Sequence, residues 1–504
     1  MAKNWLMGID IGAGSLKTMI VAADGRVGGS AAVDINTHSA HPGWSEQDPS
    51  DWWLALCETV PRALAQARVK PQEIAAIGFS AGAHTPVLED AAGKVIRPAI
   101  LWSDGRSSEE ANELLEKFGV EILATGCNRP APTWTQSQLL WLARHEPETI
   151  SRAERLYIAK DWLRSRLTGT WETDPTEAVG TLLFDGAKNF WSERLCSMID
   201  WDMRKLPPIV KPTSVVGTVT RAAAYSSGLA AGTPVVCGSS DTSVEAFGAG
   251  AIAQGQGTVK LATAAAVSII GCEPHLHPTL INYPFVMPGH WYTITATNSC
   301  ASAHRWLRDR FFLEQGGNGA EAFCVMDRLA AAAVPGADGL LFHPYLQGER
   351  APYWDPLLRG DFVGMTFRHD RGHFVRALYE GIAFSLRDAL EQLRAQNLDM
   401  CEARIIGGGA RSATWRQIVA DILGISMLVP RVTDASFGAA LIAGVGIGVF
   451  ADEGAAAEQC VSVIARHDPD SARRSMYEEM YGIYHDAALQ LIQVNHRLSA
   501  LAKV

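Results

Sequence analysis

Twice in this chain an apolar strand runs into a short turn of small and polar residues and emerges as a second strand. The first copy is the apolar run 5–9, the turn Asp10-Ile-Gly-Ala-Gly-Ser-Leu-Lys17 and a strand over 17–22; Asp24-Gly25 then closes a hairpin into a third strand over 27–33. The second copy is a strand over 258–261, a turn at 262–265 and a strand over 266–270. Between and after them lie helical patterns at 51–67, 106–118, 135–145, 160–167, 301–312 and 374–393. Strands interspersed with helices predict an α/β chain, and 504 residues are too many for a single core. Pro207, Pro208 and Pro212 mark a linker, and the small, polar stretch 222–233 is the expected hinge between two related domains.

Chemistry concentrates where strands end. In the stretch 235–250, the apolar Val235, Val236 and Cys237 stop at Gly238-Ser-Ser240, and Asp241 follows at the start of a small-residue helix. In open α/β sheets ligands bind at the carboxyl ends of strands, which makes Asp241 a candidate for chemistry as well as for helix capping. His84, Asp104 and Arg106 recur at the ends of the strands expected over 74–79 and 96–102, and their shared position points to one site. In the first turn the glycines free backbone N–H groups for a phosphate, Lys17 supplies charge and Asp10 can face a hydrated metal. Gly407-Gly-Gly-Ala-Arg-Ser412 precedes a helix whose Trp415, Ile418, Val419, Ile422 and Leu423 share one face. Such an entry offers a flat platform for a nucleotide, or is simply a tight helix start.

Several alternatives fail on spacing. The first turn lacks the Gly-x-x-x-x-Gly-Lys-[Ser/Thr] order of a P-loop. Gly78-Phe-Ser-Ala-Gly82 matches a nucleophile elbow, but Pro86 and Gly93 follow where a helix is required, which argues against an esterase. A formal charge of −10 without blocks of like charge disfavours nucleic acid and anionic membranes as partners. Nine scattered cysteines without a Cys-x-x-Cys pair fit a reducing, cytoplasmic setting, and the strand that begins near Trp5 leaves no room for a signal peptide. The uncharged stretch 435–451 is short for a membrane span and rich in glycine; it reads as a tightly packed internal helix and turn.

Five stretches in fixed order carry a family resemblance: Trp44-Ser-Glu-Gln-Asp-Pro49, Ala99-Ile-Leu-Trp-Ser-Asp-Gly-Arg106, Gly348-Glu-Arg-Ala-Pro352, residues 360–380 and Gly407-Gly-Gly-Ala-Arg-Ser412. Together they resemble the FGGY family of carbohydrate kinases over nearly the whole chain. The resemblance implies two actin-like (ribonuclease H-like) domains, each a mixed sheet flanked by helices, with ATP and sugar in the cleft between them. Residues 1–230 would form the sugar-binding domain and 231–504 the ATP-binding domain, with the catalytic base at its start. Asp241 then matches the general base and Asp10 the residue near Mg²⁺. Gly12, Ser15 and Lys17 belong to the first phosphate turn, Thr263 to the second, and Gly408, Gly409 and Ala410 to the adenosine platform. His84, Asp104 and Thr242 match positions that hold sugar hydroxyls, and Ala83 borders them. The implied reaction is phosphorylation of a ketopentose at its terminal hydroxyl, D-xylulose ahead of D-ribulose, L-xylulose and a short polyol. A homodimer is the common assembly in such a family.

The sequence also departs from the family pattern. The second phosphate turn, Leu-Gly-Thr-Ser-Gly in relatives, is Leu261-Ala-Thr-Ala-Ala265 here, which penalises positive φ at both former glycines. At the sugar end Gly-Gln-Met-His becomes Ala81-Gly-Ala-His84, Thr242 replaces an Asn, and Gln138 replaces a Lys. Two rival readings follow: a sugar sensor that has kept the fold but not the catalysis, and an actin- or chaperone-like ATPase with a protein partner.

Overall fold

The computed structural model describes residues 4–312 and 319–502. Its contacts divide the chain into two units. The first is Met1–Ile252, Cys272–Tyr292 and Val432–Ser462; the second is Ala253–Gly271, Thr293–Arg431 and Val463–Val504. The units therefore part elsewhere than at the 230/231 boundary expected from the sequence, and Asp241 lies in the first unit, not at the start of a second.

In the first unit the sheet runs in the order Val215–Thr218, Pro234–Val236, Ile74–Ala81, Trp5–Ile11, Ser15–Ala22, Val27–Asp34, with Ser239–Ser240 also pairing with Ile74–Ala81. Trp5–Ile11 is antiparallel to Ser15–Ala22 and parallel to Ile74–Ala81. In the second unit Gln256–Leu261 is likewise antiparallel to Ala265–Gly271 and parallel to Glu402–Ile406. Each unit is thus a mixed sheet flanked by helices, built around the same hairpin with a parallel third strand.

Side-chain alternation along Trp5–Ile11 sends Met7, Ile9 and Ile11 to one face, where they join Trp52, Leu56 and Val60 of the helix Pro49–Ala67 in a dry core. Gly8 and Asp10 take the opposite face. There the helix Ala435–Gly446 lies so close that a Cβ on Gly8 would stand 1.7 Å from the Ser436 carbonyl oxygen. Gly438 of that helix meets the helix Asp241–Gly248 equally closely, its Cβ position falling 1.9 Å from the Val244 carbonyl. This explains the uncharged stretch 435–451: its first part is buried on all sides within the unit. No helix among the described residues is long and apolar enough to cross a membrane.

Three local expectations are corrected. Residues 222–233 are not a hinge; they hold the helix Arg221–Ser227, capped by the Thr220 side chain, and a turn into Pro234–Val236 within the first unit. The strand expected over 96–102 shortens to Ala99–Ile100, paired with Glu46–Gln47, because the backbone turns at Trp102 towards Gly105. Ser80 is no elbow nucleophile: it sits inside the strand Ile74–Ala81 and donates to Asp10.

Candidate active site

Strand register builds the centre of the first unit. Lys17, Ser80 and Ser239 stand in one cross-strand row with Asp10, since Asp10 pairs with Lys17 and Ser80, and Ser80 pairs with Ser239. Ser80 Oγ donates to Asp10 Oδ1 at 2.6 Å. Lys17 Nζ donates to Asp434, which also caps the helix Ala435–Gly446 by accepting from Ser436 N at 3.0 Å. Burial, followed by the negative charge of Asp241, pushes the Asp10 carboxyl up to about 8, with Asp434 and Glu245 adding to the effect and Ser80 opposing it. Among the described residues no group of three or more His, Cys, Asp or Glu side chains could hold a metal ion, so Asp10 fits only a cation that keeps most of its water and phosphate ligands.

Asp241 is the first residue of its helix, and Ser240 occupies the capping position without a side-chain capping bond. Its Oδ1 accepts from Thr242 N at 2.6 Å and from Thr242 Oγ1 at 3.1 Å. Oδ2 accepts no hydrogen bond among the described residues and lies 4.0 Å from where a Cβ on Gly82 would be. Trp102, 45% exposed, is 3.3 Å from the same point, so the free carboxylate oxygen and an uncovered indole share the space beside Gly82. Thr242 therefore serves as the orienting partner of Asp241.

His84 and Asp104 hold other groups. The neutral His84 ring donates through Nδ1 to the Thr133 carbonyl at 3.2 Å and accepts from the Tyr283 hydroxyl at Nε2 at 2.5 Å, and it stacks on Trp134 with ring centres 4.0 Å apart. Burial lowers its pKa to about 3, so it stays uncharged. Asp104 is 1% exposed and saturated: Oδ1 accepts from Arg106 N and Nε at 2.9 Å, and Oδ2 from Ser45 N at 2.6 Å and Arg106 Nη2 at 2.7 Å. Arg106 lies 3.7 Å over the Trp44 ring, so the Trp44–Pro49 and Ala99–Arg106 stretches form one loop anchor. Gln47 extends it, donating to the Ala13 carbonyl at 2.8 Å and fixing the turn that holds Gly12 and Ser15.

In the second unit a cavity of about 610 Å³ is lined by His304, Arg305, Arg308, Tyr379, Gly408, Gly409 and Trp415, among others. Tyr379 and Trp415 stack with centres 4.5 Å apart and an interplanar angle of 3°, giving the wall a flat aromatic base. Gly408 and Gly409 occupy a 3₁₀ turn, and the Ser412 hydroxyl accepts from Trp415 N at 2.9 Å, capping the helix Ala413–Leu423. Ala410 is buried behind the turn and does not line the cavity. The altered turn 262–265 carries none of the strain expected of it, since Ala262 and Ala265, which stand at the two former glycine positions, both avoid positive φ. It is clamped instead: the Thr263 carbonyl accepts from Cys300 N at 3.0 Å and Ser302 Oγ at 2.8 Å, and Arg305 Nη2 reaches Thr263 Oγ1 at 3.3 Å. Glu349 of the Gly348–Pro352 stretch fixes the neighbouring segment, accepting from Asn298 N at 2.6 Å.

Sequence reasoning did not single out Ser80, Trp102, Tyr283 or Arg305 as site residues. Ser80 was legible only as part of a false elbow and Trp102 only as part of the Ala99–Arg106 stretch, whereas Tyr283 and Arg305 sit in stretches whose spacing carries no motif.

An acid at a strand end with one oxygen free, and a nucleotide-sized cavity beside a clamped small-residue turn, are the parts of an ATP-dependent sugar kinase. The FGGY family of carbohydrate kinases matches through its N-terminal domain over residues 5–248 and its C-terminal domain over residues 258–447, and the chain belongs to this family. It is 31% identical over 492 residues to the xylulose kinase of Staphylococcus epidermidis, covering 96% of each. It is 28% identical over 480 residues to the gluconokinase of Bacillus subtilis, covering 93% of each. The solved xylulose kinase from Rhodospirillum rubrum matches with a TM-score of 0.89 at 28% identity, covering 98% of this chain and 100% of that one.

Proposed function

We propose that the protein transfers the γ-phosphoryl group of ATP to the terminal hydroxyl of a ketopentose, with D-xylulose the first choice. The observation that carries the reading is the free Oδ2 of Asp241 beside Gly82 and Trp102, with Oδ1 fixed by Thr242. Asp241 takes the hydroxyl proton as the sugar oxygen bonds to phosphorus and ADP leaves. Phosphoryl transfer depends mainly on positioning and charge neutralisation, which these groups supply. The exposed face of Trp102 supports the apolar side of the sugar. Asp10 would hold magnesium, which would neutralise phosphate charge when bound with ATP. In the second unit, Gly408 and Gly409 form the adenosine wall, and Thr263 with Arg305 receives the phosphates.

The test is ADP release with ATP and Mg²⁺ against D-xylulose, D-ribulose, L-xylulose, ketohexoses, polyols and gluconate. Strong turnover on D-xylulose supports the reading. Turnover on gluconate alone overturns the substrate, and a sugar-induced rise in melting temperature without any turnover points to the non-catalytic sensor.

Two variants sharpen it. Arg305→Gln removes a charge-assisted contact and is expected to raise the KM for ATP about tenfold while leaving the sugar KM unchanged. An unchanged KM for ATP places the phosphates elsewhere. Ala83 is half-buried, and its Cβ lies 3.7 Å from where a Cβ on Gly180 would be. Ala83→Met fills this space and is expected to narrow the range of accepted ketoses. An unaltered substrate profile removes residue 83 from the pocket.

A further inference from the structure

The mechanism leaves the buried carboxyl of Glu177 unused. Glu177 lies in the short helix Pro175–Gly180, where Thr176 Oγ1 donates to the Pro284 carbonyl at 2.8 Å. Asp174, which caps that helix, accepts from Ser239 Oγ at 2.7 Å. Glu177 is thereby tied on one side to the segment that carries Tyr283 and on the other to the strand end that leads into Asp241.

Its charged neighbours are ion-paired and it is not. Lys160 pairs with Asp161 at 2.5 Å and Asp174 at 2.9 Å, and Asp161 also accepts from Thr173 Oγ1 at 2.7 Å. Glu177 is fully buried, yet neither of its carboxyl oxygens has a hydrogen-bond partner among the described residues. Burial outweighs the attraction of Lys160 and, with the charges of Asp174, Asp161 and Asp241 adding to it, raises the pKa of the group well above the usual carboxyl range. The phenols of Tyr283 and Tyr292 also lie within reach of its charge, and Tyr292 stands 3.3 Å from Ser240 Oγ. An unsatisfied buried carboxyl destabilises the fold unless a ligand completes it. The surrounding acids and one cation already paired twice make this a poor place for a further anion.

We propose that Glu177 is a recognition residue of the acceptor site: its unpartnered carboxyl hydrogen-bonds a sugar oxygen other than the one phosphorylated, and it selects an uncharged ketose or polyol over a sugar acid. The inference rests on the kinase reading above and adds the substrate class.

The test compares the full-length protein with Glu177→Gln and Glu177→Ala, measuring kcat and KM for D-xylulose and for ATP, activity on gluconate, and the melting-temperature shift caused by D-xylulose. Glu177→Ala is expected to raise the D-xylulose KM about tenfold or more and shrink the sugar-induced shift, with kcat and the ATP KM within about threefold. Glu177→Gln, which keeps a hydrogen-bonding group, is expected to stay near the wild type. Should the Ala variant fail to fold, Glu177→Asp, which withdraws the carboxyl by one methylene, takes its place with the same expected rise. An unchanged sugar KM, an equal rise for both substrates, or a Gln variant as impaired as Ala overturns the proposal. Wild-type turnover confined to gluconate overturns the ketopentose reading itself, whatever the variants do.

Discussion

Asp241→Asn is expected to lower turnover by about 10²- to 10⁴-fold, the usual contribution of a positioned general base. The amide keeps the size of the side chain and an oxygen for Thr242 N, so the helix start survives. What is lost is the proton acceptor at Oδ2, the atom left without a partner beside Gly82. D-Xylulose is therefore still expected to raise the melting temperature of the variant, and the ATP KM to remain close to that of the wild type. Near-normal kcat in Asp241→Asn removes the base assignment. Loss of both turnover and sugar binding makes Asp241 a binding residue instead.

Gly438→Ala is the second large effect, and it is structural. A Cβ at residue 438 would fall 1.9 Å from the Val244 carbonyl oxygen, with the Val244 carbonyl carbon at 2.7 Å. Both contacts are backbone, so no rotamer change relieves them, and the helices Ala435–Gly446 and Asp241–Gly248 must separate. Overpacking of this kind costs about 3 kcal/mol or more where the backbone itself must move. Val244 stands three residues beyond Asp241 on the same helix, so activity is expected to fall further than the folded fraction does. Gly482→Ala is the control: it lies in the helix Arg474–Leu501 with nothing within 4 Å of its Cβ position, and it is expected to stabilise by about 0.5–1 kcal/mol. Chemical denaturation of the three proteins measures both effects. A Gly438→Ala variant as stable as the wild type contradicts the close approach of the two helices.

The fold was largely legible because each signal was local. The hairpin at Trp5–Ala22 and its counterpart at Gln256–Gly271 needed only alternation and turn residues, and both have the expected arrangement. The helix at residues 135–145 was legible to the residue. Glycine spacing identified the turn at Gly408–Gly409, and the structure places it in the cavity wall. What failed was similarly local. The stretch 222–233 looked flexible because it is rich in Ala, Gly and Ser, but Thr220 caps a helix there and the chain stays within the first unit. The strand ending at residue 102 looked long because the apolar run continues past Ile100, whereas the hydrogen-bonded partner Glu46–Gln47 is only two residues long.

At the site the division is sharper. The sequence by itself determined that an acid stands at residue 241 after a strand, that Asp10 and Lys17 flank a small-residue turn, and that the chain resembles sugar kinases throughout. It did not determine which polar groups remain free. Asp104 and His84 have the residue types of sugar ligands, but Arg106 and Ser45 saturate the first, while Thr133 and Tyr283 occupy the second. Glu177, with no motif to announce it, is a buried acid with neither oxygen partnered among the described residues. Only the tertiary structure decided this, because a side chain's hydrogen-bonding capacity is spent on partners far away in sequence, and spacing along the chain does not record which of them arrive.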